Sequence, residues 1–170
     1  MLTAVAHLRR MNFWTSQYYC DSEERRMNGL SLTNYLGCNF ILPTNNFSSN
    51  NMIIIGNNFS DHSNRKNVRK HMTTQNIYEI STSENVGICL DRQESKISPH
   101  NYQKELRALK ALLDMLDNYL DNGDYCELYT CWVGEELEER NIELDQTIIL
   151  GDLKINNVEI KENTLITIRK

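Results

Sequence analysis

No apolar run in this sequence approaches the roughly 18 residues that a membrane-spanning helix needs; the run from Met52 to Ile55 stops at Gly56. A spanning segment is therefore not expected. The first residues, MLTAVAHLRRMNFW, place Arg9 and Arg10 where the apolar core of a secretion signal would lie. Met11 is an alternative start, which would make residues 1–10 a dispensable extension of one domain spanning 1–170, a size suited to a single core. Proline (2) and glycine (7) are scarce, whereas asparagine fills 21 of the 170 positions.

Metal and cofactor signatures are missing as well. The five cysteines include no CxxC, and His7, His62, His71 and His100 form no paired ligand spacing, so a structural zinc site is not expected. An odd, scattered cysteine set fits reduced thiols better than a disulfide framework. Together with the absent secretion signal, this gives a cytoplasmic, bacterial protein as the expectation. The chain has no GxSxG elbow, no GxxxxGK[ST] loop and no GxGxxG, and no internal period of 20 to 50 residues. No cofactor is expected on these grounds.

What the chain does contain divides by texture. Residues 1–76 are polar, with apolar islands at 35–42 and 52–55 that read as short strands. Residues 77–80 and 86–90 flank the loop 81–85 in the pattern of a hairpin. Then comes the clearest element. Ser98 suits an N-cap, Pro99 the first helical position, and Gly123 a left-handed stop. Between them Tyr102, Leu106, Leu109, Leu113, Leu116 and Leu120 recur at spacings of four and three, and Leu112, Met115 and Tyr119 widen the stripe. This predicts an amphipathic helix of about six turns packed on a sheet. Residues 125–133, 141–144 with 147–150, and 164–169 are rich in β-branched or aromatic residues and read as further strands. The expected fold is α+β, a mostly antiparallel sheet with one long amphipathic helix across a face.

In a regular strand from Tyr125, alternation sends Cys126, Leu128, Thr130 and Trp132 to one face and Glu127, Tyr129, Cys131 and Val133 to the other. Both faces carry apolar residues, which predicts a central strand covered on both sides. Cys126 and Cys131 then cannot share a metal ion. Trp132 is expected in the core, with an aromatic anchor at an interface as its alternative.

Charge is distributed unevenly. Between Asp114 and Asp145 lie eleven acidic residues and one basic residue, Arg140, so that segment carries −10 and the rest of the chain +5. Lys104, Arg107 and Lys110 precede Asp114, Asp117 and Asp121 along the helix, the reverse of what the macrodipole favours by a few tenths to about 1 kcal/mol per exposed charge. The acidity is either ordinary solvated surface or a steering surface for a basic protein partner. On the second reading Glu135, Glu136, Glu138 and Glu139 supply charge complementarity, with Asp117, Asp121 and Asp124 at the helix end and Trp132 as anchor. Nucleic acid suits this half poorly; the basic run Arg65, Lys66, Arg69 and Lys70 could touch phosphate but lacks interleaved aromatics.

The leucine-rich helix ending in Asn122-Gly-Asp124, followed by Glu127-Leu-Tyr-Thr-Cys-Trp-Val-Gly-Glu-Glu136, resembles a pattern in small bacterial immunity proteins of polymorphic toxin systems. The resemblance covers roughly residues 76–170 and leaves the first 75 unplaced. It implies a cytosolic, non-enzymatic protein that neutralises a cognate toxin by binding it, and no site residue of the family is carried over. The alternative is a small hydrolase or transferase whose cysteine or carboxylate site forms only in the fold, signalled by a cysteine within about 4 Å of a histidine. A third reading, self-association, would need the 102–120 stripe to be exposed.

Overall fold

The computed structural model describes residues 31–45, 51–56, 62–83 and 87–170. Residues 32–170 form one compact unit. The expected extension at residues 1–10 lies outside the described residues.

Six strands make one sheet: β1 Leu32–Cys38, β2 Ile53–Gly56, β3 Asn76–Thr82, β4 Tyr125–Trp132, β5 Gln146–Ile149 and β6 Thr164–Arg169. They lie in the order β2-β3-β1-β4-β6-β5. The pairs β1–β3, β1–β4, β2–β3 and β4–β6 are antiparallel, and β5 runs parallel to β6. Among the described residues three α-helices accompany them, α1 His62–Val68, α2 Glu94–Ile97 and α3 Pro99–Tyr119. The expected α+β class is the observed one, with the long helix packed along the sheet.

The stripe read from the sequence is the packed face of α3. Leu109, Leu112, Leu113, Leu116 and Leu120 are buried in one cluster with Leu36, Ile80, Leu128 and Ile166 of the sheet. Tyr119 is a correction: it is 44% exposed, at the last residue of the helix. The ends of α3 also differ from expectation. Ser98 is the N-cap residue, yet its side chain makes no capping hydrogen bond. Leu120 turns to extended backbone (φ −75°, ψ 125°), so the helix stops before Gly123, whose φ of 96° belongs to the next turn. The reversed charge order is partly compensated there, since Lys170 Nζ lies 3.3 Å from the Asp117 carboxylate and donates to the Asp117 carbonyl at 2.7 Å.

The expected hairpin is not formed. Strand β3 is flanked on both sides by β1 and β2, while residues 87–90 leave the sheet and Leu90 bridges to Ile160. The competing partner is Asn34, whose amide nitrogen donates to the Ile88 carbonyl (3.0 Å) and whose amide oxygen accepts from Ile88 N. Residues 142–144 form a 3-10 turn instead of a strand. The sheet is mostly antiparallel, as expected, with β5 the exception: it reaches the sheet edge in the same direction as β6. No helix among the described residues is long and apolar enough to cross a membrane.

Candidate functional site

Strand β4 is buried along nearly its whole length, as its two apolar faces require. Cys126 and Leu128 pack under α3, and Tyr129 and Cys131 face the opposite cluster, which Val68 and Met72 complete. The two acidic patches sit at opposite ends of this strand, about 23 Å apart at the usual strand rise.

At the helix end the carboxylates mostly hold local structure. Asp124 accepts from Asn39 Nδ2 (3.2 Å) and from Asp121 N (3.1 Å), which closes the turn between α3 and β4. Asp117 is paired with Lys170. Asp121 is exposed.

The other end is different in kind. Glu136 is only 1% exposed. It accepts from Tyr35 Oη (2.9 Å) and from Gly134 N (3.1 and 3.2 Å). Trp132 is 3% exposed and its indole donates to Glu162. For Glu136 this is a correction to the expected partner-binding set, and for Trp132 it is the expected core position, which corrects its alternative role as partner-binding anchor: a side chain enclosed by the fold and hydrogen-bonded inside it cannot contact a partner. Glu135 is half-buried, whereas Glu138 and Glu139 are exposed.

Beside those two glutamates the structure places residues that the charge pattern passed over. Leu137 (60%) and Ile142 (71%) are exposed, and Leu144 is partly so. Glu143, between the latter two, is exposed as well. Residues 137–144 thus interleave aliphatic side chains with carboxylates on the surface. The available signal was the isolation of Leu137 among four glutamates, with no apolar side chain within three residues on either side.

This surface stands on a fixed base. Arg140 donates through Nη1 to the His71 carbonyl (2.6 Å) and meets Asp145 through Nε at 3.0 Å, while Asp145 accepts from Leu165 N (2.9 Å). Asn141 N donates to the Asn163 carbonyl (2.7 Å), and Lys70 Nζ donates to the Leu137 carbonyl. Beneath them the His71 ring stacks on Tyr129 with centroids 4.3 Å apart, and its Nε2 lies 3.0 Å from the Glu136 carbonyl oxygen. Desolvation holds His71 below its ordinary value of 6.5, the neighbouring cations adding to the shift and the Glu136 carbonyl opposing it.

That shift has a direction in pH. The folded state resists protonation of His71 and the unfolded chain does not, so its contribution is complete above about pH 6.5 and declines as pH falls below it. Urea midpoints measured from neutral to mildly acidic pH should therefore fall more steeply for the wild type than for His71→Gln. Equal slopes would mean that His71 titrates alike in both states.

Burial pushes the Cys131 thiol up, the opposite of what a nucleophilic cysteine needs. Among the described residues no group of three His, Cys, Asp or Glu is placed to hold a metal ion. A cavity of about 230 Å³ is lined by His62, Arg65, Lys66, Arg69 and Ile77, and its cationic wall is unsuited to a basic partner. The α3 stripe, buried against the sheet, is not available for self-association. Comparison of the chain with protein-family models, with curated proteins and with solved structures finds no match.

Proposed function

We propose that this is a non-enzymatic binding protein that docks a basic protein partner through residues 137–144. The observation that carries this reading is the alternation of exposed Leu137, Ile142 and Leu144 with exposed Glu138, Glu139 and Glu143. Exposed aliphatic side chains supply apolar area that is desolvated on contact, and the carboxylates around them steer a cationic partner and reject an acidic one. Anchorage of the segment by Arg140, Asn141 and Lys70 supports it further, because a surface already held in place loses less conformational freedom on binding. The resemblance to immunity proteins implies a cognate toxin as the partner and the bacterial cytoplasm as the place of action. Asp117, Asp121 and Asp124, at the far end of β4, are outside the contact on this reading.

The test uses the tagged full chain to capture a basic partner, followed by kinetics with the purified pair at low and high salt. Glu138→Lys with Glu139→Lys should slow association about tenfold or more at low salt, and the difference should shrink as salt screens it. Ile142→Ala should chiefly speed dissociation, by roughly tenfold, the effect of losing about 1.4 kcal/mol of contact. Asp117→Lys should change neither. A basic partner bound equally well by all variants would refute the assignment.

A further inference from the structure

We infer that Cys38 and Cys126 are a disulfide-forming pair that locks the two central strands together when the chain folds in oxidising surroundings. The two residues are directly opposite in the antiparallel register of β1 and β4. Opposed residues in such a ladder have Cα atoms about 4.5–5.5 Å apart, inside the window a disulfide accepts. Their sulfurs are already 3.1 Å apart, and a bond of about 2.05 Å needs only about 1 Å of further approach. Both side chains are fully buried under α3. Cys131 cannot compete for Cys126, because it points to the other face of β4 and opposes Thr33.

The oxidant is a small disulfide such as oxidised glutathione. One cysteine thiolate attacks it, forming a mixed disulfide and releasing one glutathione thiolate; the second cysteine then attacks the protein-bound sulfur and expels the remaining glutathione. The two protein thiols lose two protons and two electrons, and the oxidant gains them as two glutathione thiols. In the folded chain the hydrogen bond with the Cys126 thiol, and burial after it, keep Cys38 protonated and slow, so the exchange belongs to folding or to local opening. Once closed, the bond is shielded from reductant by that same burial. The bond would cross-link positions 88 residues apart in sequence, which strongly restricts the unfolded chain. A chain folded in a reducing compartment keeps the dithiol, and one folded in an oxidising compartment keeps the lock.

The experiment refolds the denatured full-length wild type in reduced and oxidised glutathione, quenches with acid, alkylates free thiols in denaturant and maps the peptides by mass. The expected product is a peptide joining Cys38 to Cys126, with Cys131 and Cys89 alkylated and the melting temperature raised by about 10 °C over the reduced protein. Cys38→Ala with Cys126→Ala should abolish that dependence on reductant; should the double variant not fold, the wild-type peptide map decides alone. Both thiols alkylated after oxidative refolding, or either one joined to another cysteine (Cys20 included), would overturn the inference.

Discussion

Replacing Glu127 with alanine should lower the unfolding free energy by about 3–5 kcal/mol, well beyond an ordinary substitution. Glu127 is only 4% exposed. One oxygen accepts from Thr73 Oγ1 at 2.8 Å. The other accepts from Thr73 N (2.8 Å), Thr74 N (3.0 Å) and Thr74 Oγ1 (3.0 Å). Alanine would leave the buried Thr74 N–H and hydroxyl without their acceptor, at about 1–3 kcal/mol for each buried donor left unpaired, while the exposed Thr73 keeps its hydroxyl contact with Tyr125 Oη at 3.2 Å and turns its N–H to water. Relaxation is restricted by close packing. Thr74 Oγ1 stands 1.9 Å from where a Cβ on Gly37 would lie, so the threonine fits only because β1 has a glycine opposite Glu127. Glu127→Gln should recover part of the loss, since it keeps one acceptor oxygen but turns an NH2 group toward the remaining donors. Chemical denaturation of the three proteins checks this. A loss under about 1 kcal/mol for the alanine variant would mean that water replaces the carboxylate and that the 73–74 turn does not depend on it.

Leu113→Ala should cost about 2–5 kcal/mol. Leu113 is buried in the main cluster between α3 and the sheet, and truncating it removes apolar contacts and leaves a cavity. Tyr119→Ala, on the same helix but largely outside that contact, should stay within about 0.5 kcal/mol. The pair of denaturation midpoints separates packing from helix propensity, because both changes introduce the same strong helix former. Equal losses at the two positions would show that the helix contributes through its backbone and not through this stripe.

The contrast between these helix positions indicates how far the chain could be read. The stripe of α3 is a local pattern: spacings of three and four place leucines on one face whatever the rest of the chain does, and one apolar face requires one apolar partner. Burial of β4 on both sides was readable for a similar reason, since apolar residues fall on both parities of that strand. The hairpin failed because local turn chemistry competed with Asn34, 54 residues earlier, which takes both backbone groups of Ile88. The acidic surface failed in part for a related reason. A charge count treats Glu135, Glu136, Glu138 and Glu139 alike, yet Glu136 is drawn inside by Tyr35, 101 residues away in sequence.

The α+β class, the long helix and its packed face, the centrality of β4 and the separation of charge along the chain were all legible before any fold was known. Each follows from periodicity or composition, which are properties of neighbouring residues. Only the tertiary arrangement shows that Glu127 and Glu136 are interior acceptors, that Cys38 faces Cys126, and that Leu137 and Ile142 stand outside beside Glu138 and Glu139. Those outcomes depend on strand order and register, which bring together groups separated by 54 to 101 residues in sequence. Whether a carboxylate meets water or a ring of buried donors depends on those distant partners, and no local pattern encodes it.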